Sequence, residues 1–224
     1  MRTRKVVLAR QRAPITRAFG RSTILAMLAV ALVGSACGSQ PQVEPQAIRR
    51  LPHDARQAVY EAENDVVIAK NRRDEARFEI ARLGAECGAA RAQWERSQER
   101  LKKAGGGDRV GKARHVLDAH LSYVSAEEDA ADAALDRADV EVDLARARAE
   151  QVRFAQAVRY GIAPEAQMVV LDGEVTKLDE AARAAEKKQL DLHVKAIKAF
   201  EVWKQTAIEY ARATKDFDTG VWLE

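Results

Sequence analysis

Residues 168–217 read MVVLDGEVTKLDEAARAAEKKQLDLHVKAIKAFEVWKQTAIEYARATKDF. Steps of three and four residues, taken alternately from Met168 to Phe217, meet an apolar or aromatic side chain almost every time. The clear exceptions are Gln189 and Thr206. An apolar repeat of this period, sustained over so many turns, predicts a coiled-coil helix.

The same repeat runs through two earlier stretches, from Ala62 to Ala104 and from Leu117 to Val152. Glycines at 105–107 separate the first stretch from the second. Gly161 suits the C-cap of the second helix, and Pro164 suits the first turn of the third. We therefore predict three long helices near residues 53–104, 110–160 and 164–217.

The expected fold is all-α, an elongated antiparallel coiled coil of three long helices over residues 53–217. Helices of about 50 residues are roughly 75 Å long, and short connections favour an up-down-up arrangement. Folding at the glycine turn pairs residues whose numbers sum to about 214, and folding at Gly161 pairs those summing to about 324. This register puts Trp94, Leu121 and Trp203 in one layer and Arg73 beside Glu141.

The composition agrees with long helices and argues against a nucleic-acid partner. Of the 224 residues, 32% are charged and 5% are aromatic, which is typical of coiled-coil chains. The formal net charge of +3 includes seven basic and no acidic residues within 1–36, so residues 37–224 carry −4. Phosphate binding needs a net basic surface, which this part of the chain does not provide.

The N-terminus has the pattern of an export signal. A basic segment is followed by an uninterrupted apolar run from Ile24 to Val33 and then by the small residues Gly34, Ser35 and Ala36. This order predicts a signal peptide over residues 1–36. An uncleaved membrane helix is the less favoured alternative, because a span needs about 20 apolar residues.

The cleavage region resembles the lipobox of bacterial lipoproteins. It reads Val33-Gly34-Ser35-Ala36-Cys37, with Gly34 where the family has Leu. The resemblance implies cleavage after Ala36 and a lipid-modified Cys37, which carries diacylglycerol and an acyl chain such as palmitate. Gly38 stands where retained members have Asp, which implies an outer-membrane lipoprotein facing the periplasm.

An ordinary signal peptidase site is the alternative, since Gly34 and Ala36 also fit its small-residue rule. It would cut the same bond and leave a soluble periplasmic chain with an unmodified Cys37. If Cys37 is lipidated, Cys87 is a lone thiol that is either buried or paired with another chain.

Two flanking segments complete the predicted organisation. Residues 37–52 are rich in Gly, Ser, Gln and Pro, so we expect a solvated, flexible tether. Residues 218–224 end in Val-Trp-Leu-Glu, an apolar tail that either folds back on the helices or contacts a partner.

The residue patterns predict neither a catalytic site nor a metal site, and they imply no cofactor. His115 and His120 are five residues apart and so do not share a helix face. The acidic cluster formed by residues 127–129 and Asp132 suits a solvated face, with calcium binding as the minor alternative.

The sequence therefore favours a non-enzymatic, lipid-anchored helical rod. We expect it to act as a structural or adaptor protein by binding another envelope protein or by self-association, without a small-molecule substrate. A periplasmic holdase-type chaperone and a component of an envelope-spanning export assembly are the alternatives.

Overall fold

The computed structural model describes residues 43–103, 105 and 107–215, and within them the chain is all-α. The described part has no β-strand, so the predicted fold class is confirmed at this level. A short helix α1 is followed by three long helices, α2, α3 and α4. Their bounds are Pro45–Arg49, His53–Lys103, Asp108–Arg159 and Met168–Thr214, with a 3-10 turn at Glu165–Gln167 before α4.

The connection between α3 and α4 is made as the glycine pattern predicts. Gly161 has a φ of +71°, which a residue without Cβ adopts most easily. Its N–H donates to the Val158 carbonyl at 2.9 Å, and the Ile162 N–H donates to the Ala157 carbonyl at 2.8 Å. These bonds satisfy the last carbonyls of α3, so Gly161 is its C-cap glycine. Pro164 precedes the 3-10 turn in an extended conformation, and α4 therefore begins later than predicted, at Met168.

The last part of the predicted tether is ordered. Residues 43–52 differ from the solvated, extended chain that their composition predicts, because α1 forms there. Ile48 and Leu51 are buried against Ala55 and Val59 of α2. Val152 of α3 packs against the same cluster, so two apolar side chains tie this segment to the long helices. Residues 37–42 lie outside the described part.

Helix α3 carries most of the buried side chains. Thirteen of its residues are buried, compared with six in α2 and three in α4. It packs along both α2 and α4, whereas α2 and α4 barely touch each other. Because α2 and α4 each pack on one side only, each has a narrow stripe of buried residues. Most of the remaining surface of these two helices is exposed to solvent.

The contact positions on α3 place α2 and α4 on opposite sides of it. Four residues of α3 that form hydrogen bonds or ion pairs with α2 are separated by multiples of seven residues: Asp118, Ser125, Asp139 and Arg153. Three that contact α4 recur in the same way: Tyr123, Arg137 and Gln151. The two sets are offset by two residues, which is about 200° around a helix. The three long helices therefore form one layer, with α3 in the middle.

Two cross-helix contacts lie close to the predicted register, but the predicted three-residue layer does not form one continuous contact. Trp94 donates to Asp118 from α2, and the Trp203 ring lies 4.7 Å from the His120 ring, so both pairs fall within two residues of the expected sums. The two tryptophans nevertheless approach α3 from opposite sides. The predicted pairing of Arg73 with Glu141 is wrong, because Arg73 binds its neighbour Asp74 and Glu141 accepts from Arg137.

Candidate functional site

The residues predicted to carry the signal and the anchor, Ala36 and Cys37, lie outside the described part of the chain, as does the apolar tail at 218–224. The described helices offer other features instead. They are an aromatic cluster, a groove over α3, an apolar patch on α4 and a buried thiol.

The aromatic cluster joins α3 to α4 and consists of His120, Tyr123, Phe200 and Trp203. The rings of Tyr123 and Trp203 are stacked with centroids 5.4 Å apart and planes 8° from parallel. Phe200 meets both of them edge-on, at 5.3 and 5.8 Å. Such pairs stabilise a contact by about 0.5–1.5 kcal/mol each beyond the area they bury.

Trp203 anchors this cluster. Its side chain is buried, and its indole Nε1 has no hydrogen-bond partner. Phe200 remains 36% exposed, so the cluster extends from the core to the surface. Exposed aromatic rings beside a buried one are typical of protein-binding surfaces.

His120 makes the cluster sensitive to acid. Burial lowers the pKa of His120, because the charged imidazolium loses hydration against the rings. The unfolded chain binds a proton below about pH 6.5, while folded His120 stays neutral to a lower pH. The free energy of unfolding should therefore fall as the pH drops through this value.

Urea unfolding at neutral and mildly acidic pH measures this effect. We expect the difference in unfolding free energy between neutral and mildly acidic pH to be smaller for His120→Gln than for the wild type. His193→Gln, on an exposed residue of α4, should keep the full difference. Equal pH dependence in both variants would rule out His120 as the titrating group.

A groove of about 680 Å³ runs over α3 between α2 and α4. The small and apolar side chains that line it are Ala62, Ile68, Ala69, Leu144, Ala145, Val152 and Ala182. Its charged lining consists of Asp65, Arg72, Arg137, Glu141, Arg148, Asp179, Arg183 and Glu186, with Gln151 beside them. A groove with a small-residue floor allows close approach of another backbone.

Ion pairs fix the α3 and α4 sides of this groove. Arg148 binds Asp179 at 2.9 Å, and Arg183 binds the other oxygen of Asp179 at 2.7 Å. Arg137 binds Glu141 at 2.7 Å and reaches Glu186 at 3.3 Å. Exposed pairs contribute roughly 0–1 kcal/mol each, so they set the geometry more than the stability.

An apolar patch lies on the exposed surface of α4. Leu190, Val194 and Ile197 are 60%, 40% and 49% exposed, and their spacing puts them on one face of the helix. Helix α2 also exposes large apolar side chains at Tyr60, Val67 and Phe78. Contiguous exposed apolar residues are characteristic of interaction surfaces.

Cys87 is buried against α3, which is the first of the two predicted alternatives, a buried thiol or one paired with another chain. Its Sγ lies 3.8 Å from the Ser125 hydroxyl. Burial raises the pKa of the thiol, and the nearby Glu128 carboxylate raises it further. A thiol with a raised pKa is a poor nucleophile, so this environment is that of a structural cysteine.

The described helices contain neither a cluster of metal-ligand side chains nor a candidate membrane span. No group of three or more His, Cys, Asp and Glu side chains is arranged to hold a metal ion within the described ranges. No helix there is both long enough and apolar enough to cross a membrane. His115 is exposed on α3 while His120 packs on Trp203, so the two histidines are separated as their spacing predicts.

No protein-family model, no curated protein and no solved structure matches the chain.

Proposed function

We propose that this chain is a lipid-anchored protein of the bacterial cell envelope that acts as a structural adaptor through protein–protein contacts. Its long helices run up-down-up as an antiparallel coiled coil, and they hold a binding surface away from the membrane. The export signal and the lipobox resemblance around Cys37 support the anchor. The role is binding, without a chemical step.

The exposed apolar patch on α4 is the observation that carries the adaptor role. A helix packed on one side only would normally be polar over the rest of its surface, yet Leu190, Val194 and Ile197 are solvent-exposed on α4. Cross-helix contacts support the antiparallel arrangement. Arg153 of α3 meets Glu63 near the start of α2, and Asp118 meets Trp94 near its end.

Labelling with palmitate in bacterial cells tests the anchor. We expect the wild-type chain to be labelled and to fractionate with membranes, because two or more acyl chains hold a protein there stably. Cys37→Ala should abolish both, whereas Cys87→Ala should change neither. An unlabelled, soluble wild-type chain would exclude the anchor.

A photo-crosslinking residue at Val194 tests the adaptor role separately. We expect one discrete adduct, with an envelope protein or with a second copy of the chain, and none from the same residue placed at exposed Ser122 on α3. A smear of many adducts would contradict a specific adaptor. It would instead favour the holdase-type chaperone, for which apolar side chains exposed on both outer helices are the supporting observation.

A further inference from the structure

The groove side of the helix layer is incompletely covered. Helices bury their apolar stripes by packing in two layers, whereas α2, α3 and α4 form one. On α4, Arg183, Leu190 and Ile197 are seven residues apart and therefore lie along one line. Arg183 lines the groove, so the exposed Leu190 and Ile197 extend the same surface toward the aromatic cluster.

The charges on the groove side are balanced. Four arginines and four carboxylates line the groove, so this surface is close to neutral and does not repel a copy of itself. On the opposite side of α3, Asp136, Asp143 and Glu150 are paired within the chain with Lys188, Arg146 and Arg153. The choice of the groove side therefore rests on its open groove and its exposed apolar side chains.

The groove side is also large enough for a stable dimer. Three helices about 9 Å apart are roughly 27 Å wide, and a stretch of α3 from residue 130 to residue 159 spans roughly 44 Å. The product is roughly 1,200 Å² per chain, whereas a standard interface buries about 800 Å² on each partner.

The charge order along the groove selects one orientation. In an antiparallel pair centred between Leu144 and Ala145, Glu141 lies opposite Arg148 of the second copy. The same axis crosses α4 near residue 181, where Asp179 lies opposite Arg183 of the second copy. A parallel pair would instead place Arg137 and Arg148 of α3 each against its own copy, which costs several kcal/mol.

We propose that the groove side of α2, α3 and α4 binds the same surface of a second copy of this chain, antiparallel and about a two-fold axis at Leu144 and Ala145. The pair formed by α2 and α3 then makes a four-helix bundle with the same pair of the second copy, and so does the pair formed by α3 and α4. This dimer does not require the lipid anchor, so its test is independent of the test of membrane attachment at Cys37.

Charge reversal and sedimentation equilibrium of the purified full chain test the interface. We expect a dimer at micromolar concentration. Glu141→Arg should raise the dimer Kd by about 100-fold or more, because symmetry creates two like-charge contacts. The double variant Glu141→Arg, Arg148→Glu restores opposite charges and should return the Kd to within about tenfold of the wild-type value.

Asp129→Arg is the matched control, since it makes the same charge change on the opposite side of α3 and should leave the Kd unchanged. Circular dichroism verifies that each variant keeps its helices. A monomeric wild-type chain, or a dimer that Glu141→Arg leaves intact, overturns the proposal.

Cysteine crosslinking tests the orientation in a Cys37→Ala, Cys87→Ser background. In the antiparallel dimer, position 134 faces position 155 of the second copy and lies roughly 30 Å from its own counterpart. Ala134→Cys and Ala155→Cys should therefore crosslink when mixed and not when alone. Crosslinking of each variant with itself would establish a parallel pair and overturn the antiparallel interface.

Discussion

Trp203→Ala is expected to destabilise the folded chain by about 3–5 kcal/mol, the usual cost of removing a buried large aromatic side chain. Trp203 is 7% exposed and is in ring contact with His120, Tyr123 and Phe200, so its removal leaves a cavity and breaks three contacts. The melting temperature should fall by about 6–20 °C in a chain of this size. Thermal unfolding followed by circular dichroism at 222 nm measures the change.

A second substitution separates packing from hydrogen bonding at this position. Trp203→Phe keeps an aromatic ring and removes the indole N–H, which has no partner in the folded chain. We expect it to cost less than about 1.5 kcal/mol, because a buried donor without an acceptor is itself unfavourable. A loss as large as that of Trp203→Ala would show that the cluster is not held by ring packing.

Ala196→Leu is expected to have the next largest effect, about 1–3 kcal/mol of destabilisation through overpacking. Ala196 is fully buried, two turns before Trp203 on the packed side of α4. A leucine there would push α4 away from α3. Ala181→Leu is the matched control on the same helix, because Ala181 is exposed and a leucine is well tolerated there.

Urea unfolding of the two alanine variants provides the comparison. We expect the midpoint of Ala196→Leu to fall and that of Ala181→Leu to stay within error of the wild type. If Ala196→Leu were as stable as the wild type, α4 would not be packed against α3 at this level.

The helices and their ends were predictable from the sequence because the signals are local. The repeat of three and four residues recurs from Ala62 to Phe217, and the glycines at 105–107 and at 161 mark the turns. The sequence does not predict the ordered segment around Ile48, because the composition there is that of a linker. Burial of Ile48 and Leu51 depends on Val59 and Val152, which are distant in sequence.

The open arrangement of α2 and α4 was harder to predict. The predicted repeat gives each helix one apolar stripe, but α3 is packed on two sides. Its second stripe includes Val116, Tyr123, Ala130 and Leu144, whose spacing is also a multiple of seven. This second stripe is the sequence signal that α3 lies between the other two helices and that Tyr123 packs with Trp203. The groove follows from that geometry.

The separation of α2 from α4 has a consequence for unfolding. Because each outer helix packs almost entirely on α3, the free energy of unfolding is close to the sum of two terms, one for each contact with α3. Loss of α4 exposes one side of α3 and leaves the α2 contact in place, so the chain can lose its outer helices one at a time. Amide hydrogens of α3 should consequently exchange last, and those of α4 should exchange without waiting for α2.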